Sequence, residues 1–298
     1  MSLIYLAIVL VAILCVSCWG PGSHLYFASR VLEGADERLP RTVAKELAAE
    51  TDAYLYGNLA ADIIHIKGFG GHHNHCHRWT IVDEMLDAAE DSGERVFALG
   101  YLSHLAADTI AHNHYVPYHL ARYARSRGFG HVYWEMRADR FLDDDLWSIV
   151  TRLKENTELR EYDELVMRFV PKRALPDRAN RLLFDHVLLV AQRDRWRRGV
   201  ERLHEVSFAP LELEFLDRFR EAAIERVNLA LGGQVELLQH IDPTGKDAQK
   251  RASRARRMTL TSTVRSETRK RVAEEVAAPF LEGMESPPPT SGEPLWTR

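Results

Sequence analysis

Apolar positions recur along most of this chain at spacings of three and four residues, and no convincing run alternates every second residue. That period predicts helices and no sheet. Thr80–Ala89 places Ile81, Met85, Leu86 and Ala89 on one face, and Val96–His112 and Tyr133–Leu153 read as further long helices. Arg173–Arg198 predicts a helix opening near Pro176, and Pro210–Leu231 one that stops before Gly232 and Gly233. Glycine marks loops at Gly68–Gly71 and Arg127–Gly130. The expected fold class is all-α, a multi-helix bundle with no internal repeat.

Three segments depart from this pattern. Leu3–Val16 is unbroken apolar sequence, short of the ~20 residues a bilayer-spanning helix needs. Residues 1–18 are expected to be a signal peptide or an N-terminal membrane anchor. Val16 and Cys18 suit the −3 and −1 positions of a cleavage site before Trp19. A lipid on Cys18 is the weakest alternative, because Cys15 poorly fits the lipid-attachment pattern. Each reading exports the body, secreted or periplasmic, with or without an anchor. At the other end, Lys246–Arg271 carries ten basic residues against Asp247 and Glu267. It is a solvated helix face, a mobile linker, or an arm for anionic lipid or nucleic acid. Residues 286–298, with SPPPTSGEP, are expected to be a disordered tail. The expected division is a helical domain over 19–245, a basic helical extension over 246–285, and that tail.

Composition narrows the chemistry. With 298 residues, 46% hydrophobic and 28% charged, the chain can bury a full core. A formal net charge of −4 does not advertise a nucleic-acid binder. Cys76 is the only cysteine outside the apolar N-terminal run, so the body has no intrachain disulfide to staple it. Histidine is the unusual residue: 11 of 14 lie between His24 and His131, which raises the case for a metal.

The histidines fall in register with carboxylates. In GYLSHLAADTIAHNH, His104 and Asp108 are four apart and leave one helix face together. His114 follows six residues after Asp108, near the helix end set by Pro117, and can turn toward a second ion. His131 and Glu135 repeat the four-residue spacing, and two such pairs facing each other would enclose a polynuclear centre. One such pair alone is more often a surface or capped-core pair. Here Leu102, Leu105, Ala106 and Ile110 make the first helix core-like, so burying His104 and Asp108 needs a partner, which a metal supplies. Asp62 ends an apolar helical turn, YGNLAADII, and the loop GFGGHHNHCHRW then holds His72, His73, His75 and His77. His77 is the favoured ligand because the helix opening at Arg78 and Trp79 would fix its direction; the glycine-flanked histidines are expected in solvent. WGPGSH places Trp19 and His24 five apart. Mixed imidazole and carboxylate ligation suits hydrolytic zinc, whereas closed structural sites are usually rich in cysteine.

The order Trp-x4-His, Asp, His, His-x3-Asp-x5-His, His-x3-Glu resembles the zinc-dependent phospholipase C and single-strand nuclease superfamily, the phospholipase C/D domain-like proteins. The likeness covers roughly residues 19–140. It implies an all-α fold around zinc. One ion would take Asp62, His77, His104 and Asp108; a second His114, His131 and Glu135; a third Trp19, His24 and a shared Asp108. Three ions require Trp19 to be the mature N-terminus, since it ligates through its own amine; otherwise two are implied. The resemblance also makes Asp62 a general base. The short Trp19–His24 spacing resembles the nuclease branch, while Glu135 and the histidine-rich loop resemble the phospholipase branch. The implied activity is hydrolysis of phosphodiesters by metal-activated water, with phospholipid, or a membrane surface, as the first substrate. Single-stranded nucleic acid is the second, with Tyr115, Tyr118, Tyr123 and Trp134 available for stacking. A membrane-associated metal-binding protein with little turnover is a third reading, and no protein partner is inferred.

Overall fold

A single buried helix organises the chain. In the computed structural model, Ser92–Ile110 starts at Asp91, whose carboxylate accepts from the backbone N–H of Glu94 (2.8 Å), an N-cap that satisfies one of the donors a helix start leaves open. From Val96 to Ile110 every residue is buried, the polar Ser103, His104, Asp108 and Thr109 among them, so the helix is covered on all sides. The structure describes residues 19–65, 75–123, 130–170, 172–191, 210–261 and 266–285. Among these there is no strand, and no helix is long and apolar enough to cross a membrane. The all-α expectation holds. The leader at 1–18, the tail at 286–298 and the loop Gly68–Gly71 lie outside the described residues.

In chain order the helices are α1 (Pro21–Glu33), the single turn α2 (Ala35–Arg38), α3 (Arg41–Ala49), α4 (Thr51–Ala60), α5 (Trp79–Ala88), the central α6 (Ser92–Ile110), α7 (Val116–Arg122), α8 (Gly130–Asp139), α9 (Asp144–Glu155), α10 (Tyr162–Phe169), α11 (Asp177–Ala191), α12 (Leu213–Leu229), α13 (Lys246–Thr261) and α14 (Ser266–Ala277). Around α6 pack α4, α12, α5 and α1. The helix expected over Tyr133–Leu153 is two helices. They part at Asp139 because its carboxylate turns away to cap α1, accepting from Ser23 N–H (3.1 Å) and Ser23 Oγ, and Asp143 then starts α9. Gly20 allows that approach: a Cβ there would fall 2.0 Å from Asp139 Oδ2.

Two glycines set the closest helix crossing. A Cβ on Gly57 would stand 2.2 Å from the Phe97 carbonyl, and one on Gly100 2.2 Å from the Tyr54 carbonyl. The backbones of α4 and α6 therefore touch. Beyond α6 the chain does not end a helix at Pro117 but widens into a π-turn, Ala111–Tyr115, and runs on as α7 with Pro117 as its second residue, so the wider turn directly precedes the residue that has no N–H to give.

The basic segment is helical and folded back on itself. α13 and α14 form a hairpin on α7, burying Ala248, Ala252, Ala277 and Phe280 against Ala121. Arg226 of α12, buried, donates to Thr109 Oγ1 (3.0 Å) and to the Gly283 carbonyl (2.9 Å). Burial lowers its pKa to about 10.

His119 of α7 shows how this core handles a titratable group. It lies against Trp134 (ring centroids 4.3 Å apart) and Tyr115 (4.5 Å), and its Nδ1–H donates to the Tyr115 carbonyl (2.7 Å). Burial lowers its pKa from 6.5 to about 3. A depressed histidine stabilises the fold fully above pH 6.5, and that contribution drains as pH falls toward the folded value. Between pH 6 and 4, His119→Gln is expected to lose stability less steeply than wild type, by about 1.4 kcal/mol per pH unit. Urea melts at several pH values measure this; parallel curves would contradict it.

Candidate metal centre

The crossing of α4 over α6 builds the first part of the site. At the end of α4 the backbone N–H of Asp62 bonds back to Leu59 (3.1 Å). The Asn58 carbonyl takes His104 Nδ1 instead (2.8 Å). A carbonyl only accepts, so Nδ1 carries the hydrogen and Nε2 is the ring atom that faces inward. His77 Nε2 lies 3.0 Å from that atom. Asp62 Oδ1 is 3.3 Å from His77 Nε2 and 3.7 Å from His104 Nε2. On its other edge His77 Nδ1 is 3.2 Å from Cys76 Sγ, while Tyr101 holds the Cys76 carbonyl (2.7 Å).

Asp108, one turn beyond His104, is the hub. Its Oδ2 lies 3.1 Å from His77 Nε2, 3.2 Å from His104 Nε2 and 3.5 Å from His112 Nε2. Its Oδ1 faces the other way, 3.4 Å from His24 Nε2. His24 stacks on His104 with ring centroids 3.8 Å apart, and the Asp139 cap on neighbouring Ser23 fixes the turn of α1 that carries it. Burial alone would raise Asp108, but His104 and His112 outweigh it and hold the carboxyl well below its usual range. Burial, aided by His104, lowers His24 to about 4 against the pull of Asp108.

The structure therefore brings His24, Asp62, His77, His104 and Asp108 together. His114 it directs elsewhere. Its Nδ1–H donates to the Phe280 carbonyl (2.8 Å), and its Nε2 faces Arg226 Nη2 (3.4 Å); burial and that guanidinium lower it to about 4. The sixth position after Asp108 turns off the shared face, whereas His112, overlooked in the sequence, continues the four-residue ladder His104, Asp108, His112. Trp19 is buried, its Nε1–H toward the Ala107 carbonyl (3.4 Å) and its ring stacked on Tyr115 at 4.6 Å. Glu135 is buried on α8, one turn before Asp139; the side chain of His131 lies outside the described residues. Of the loop histidines, His75 is half-buried and its Nδ1 accepts from the His77 backbone N–H (3.0 Å); His72 and His73 lie outside the described residues.

A family model described as zinc-dependent phospholipase C matches residues 23–191, more than half of the chain. The chain belongs to that family. Neither a curated protein nor a solved structure matches it significantly. Every residue gathered at the centre lies inside the family match, and the basic hairpin lies outside it.

Zinc, the ion of the zinc-dependent phospholipase C family, suits what the residues present. Both oxygens of Asp108 and both ring nitrogens of His24 are buried without a hydrogen bond, a costly state unless a cation satisfies them. Ligand atoms of Asp62, His77 and His104 lie within 4.8 Å of one another, as do those of His24, His104 and Asp108. If the ladder defines the centre, His112→Ala lowers zinc content while His114→Asn, which keeps a donor for Phe280, leaves it unchanged. Metal analysis of the two purified variants decides; the opposite pattern would restore His114 as the ligand.

Proposed function

We propose that this chain is an exported, zinc-dependent phosphodiesterase that cleaves phospholipids on the glycerol side of the phosphate. The observation that carries the reading is the buried Asp108 carboxylate, with one oxygen toward His24 and the other toward His77, His104 and His112. A carboxylate so divided suits two neighbouring ions. Asp62, His77, His104, Asp108 and His112 would hold one; His24 and Asp108 would hold another, joined by the Trp19 amine if the chain is cleaved before it. Glu135 and His131 remain the candidates for a further ion. When bound, zinc supplies a Lewis acid for phosphate oxygens and lowers the pKa of water toward neutrality.

The chain's own residues do the rest. The Asn58 carbonyl and Cys76 hold His104 and His77 in the orientation that turns Nε2 inward, so the site needs little reorganisation when substrate arrives. Asp62 is the half-buried member of the set, its side chain 26% exposed where His77 and His104 are 2% and 0%. Its carboxylate can therefore meet incoming substrate and accept the proton of the attacking water. Asp62→Asn is expected to cut turnover about 100-fold or more while zinc content falls less; a variant at the full rate removes this role.

The nuclease alternative draws on the Trp19–His24 spacing but gains little from the aromatics. Tyr115 and Trp134 are fully buried and fill core rather than offer faces to bases, while Tyr118 and Tyr123 are half-buried and pack around His119. Hydrolysis of a phosphocholine reporter and of denatured DNA, each with and without a zinc chelator, tests the choice. Chelator-sensitive cleavage of the reporter alone is expected. Cleavage of DNA alone selects the nuclease, and tight zinc with no turnover of either selects a binding protein.

A further inference from the structure

The basic hairpin plays no part in the chemistry above, yet it is built into the body. α13 starts at Gly245, whose φ is +55° and whose Cβ, were there one, would fall 2.1 Å from the His112 carbonyl. The far end of the hairpin gives its Phe280 carbonyl to His114 (2.8 Å). Both ends are thus anchored to the π-turn that follows Asp108. The alanine face is buried; Lys250, Arg254 and Arg257 leave α13 on the side opposite Ala248 and Ala252, and Arg269, Lys270 and Arg271 at the start of α14 are exposed as well.

Exposed pairs offset part of this charge. Asp247 pairs with Lys250 (3.2 Å) and Glu275 with Arg271 (3.5 Å), both in solvent where such pairs are weak. Arg254 and Lys270 have no acidic partner among the described residues. The ten basic residues of 246–271 stand in a chain of formal net charge −4, so the remainder is acidic and the patch is a local exception. Met258, one turn after Arg254, is 68% exposed, an apolar tip inside a cationic face.

We propose that the α13–α14 hairpin is a docking platform for anionic phospholipid bilayers, separate from the zinc centre. A cluster of this size matches the negative surface potential of such membranes, and Met258 can enter the headgroup layer beside the arginines. Single-stranded nucleic acid fits less well, because residues 246–279 contain no aromatic side chain on which a base could stack. The inference deepens the phospholipid reading by adding the surface on which that substrate would be met, but docking can be read without catalysis.

The test is flotation of the full-length, zinc-loaded protein with phosphatidylcholine vesicles, alone or carrying about 30 mol % phosphatidylglycerol. Association with the anionic vesicles is expected to be about tenfold stronger or more, and to fall as salt rises. The combined substitution Lys250→Gln, Arg254→Gln, Arg257→Gln and Lys270→Gln should abolish that difference while keeping the wild-type melting temperature and the rate on a soluble short-chain phosphocholine substrate. Should the variant not fold, the lipid comparison and salt titration on wild type still decide. Equal binding to both vesicle types, a folded variant that keeps the lipid preference, or tighter binding to a single-stranded oligonucleotide at the same salt would each overturn the proposal. Docking without hydrolysis of the soluble substrate would instead sink the catalytic reading and leave this one standing.

Discussion

Asp108→Asn is expected to weaken zinc binding by at least about 100-fold, more than the 10- to 100-fold typical of losing a supporting residue around a metal. Asparagine keeps the shape of the side chain and removes its charge, at the point where His24, His77, His104 and His112 converge. The four imidazoles would then face a cation with only the half-buried Asp62 carboxylate left to balance it. The effect reaches stability as well as activity. An ion that binds only the folded chain stabilises it by about 4 kcal/mol when free zinc is roughly 1,000 times its Kd. Wild type should therefore lose melting temperature on addition of a chelator, and the variant should respond far less, by about 1.4 kcal/mol at the same free zinc for a 100-fold weaker site. A variant that still shows the wild-type response to chelator would remove Asp108 from the centre.

Gly100→Ala should destabilise the fold by about 3 kcal/mol or more, the upper end of what overpacking usually costs. The added methyl would sit 2.2 Å from the Tyr54 carbonyl and 3.0 Å from Gly57 Cα. Both neighbours are backbone, so no side chain can swing aside. To relieve the clash α4 must back away from α6, carrying the Asn58 carbonyl away from His104. Loss of zinc should therefore accompany loss of stability, although Gly100 touches no ligand. Urea melts with and without chelator test both parts; a wild-type midpoint would show that the helices do not meet this closely.

Helical period was the part of this protein most open to reading, because burying one face against a bundle leaves a regular trace in the residues themselves. His104 and Asp108 were legible for the same reason, and His77 because the helix starting at Trp79 aims it. Positions beyond Asp108 were not. Pro117 reads as a helix stop, but the helical run continues through it, and the π-turn before it alters which side chains share a face. His112 and His114 are two residues apart, and only the ladder spacing, weighed against the familiar pattern, could have pointed to His112. The Asn58 carbonyl was beyond reach, since it is backbone and its availability depends on how α4 frays. The hairpin is legible in the sequence as charge, whereas its alanines, the half that fixes it in place, gain their meaning only from packing on α7.

The clamp at Arg226 bears on how this protein can be divided. A chain trimmed at residue 245 would seem to shed a basic appendage. It would in fact strip the Gly283 carbonyl from a guanidinium sunk in the interior and the Phe280 carbonyl from His114. The cut would open a polar wound beside Thr109, next in sequence to Asp108, so the segment that ends at Gly283 is a keystone of the fold rather than a handle on it.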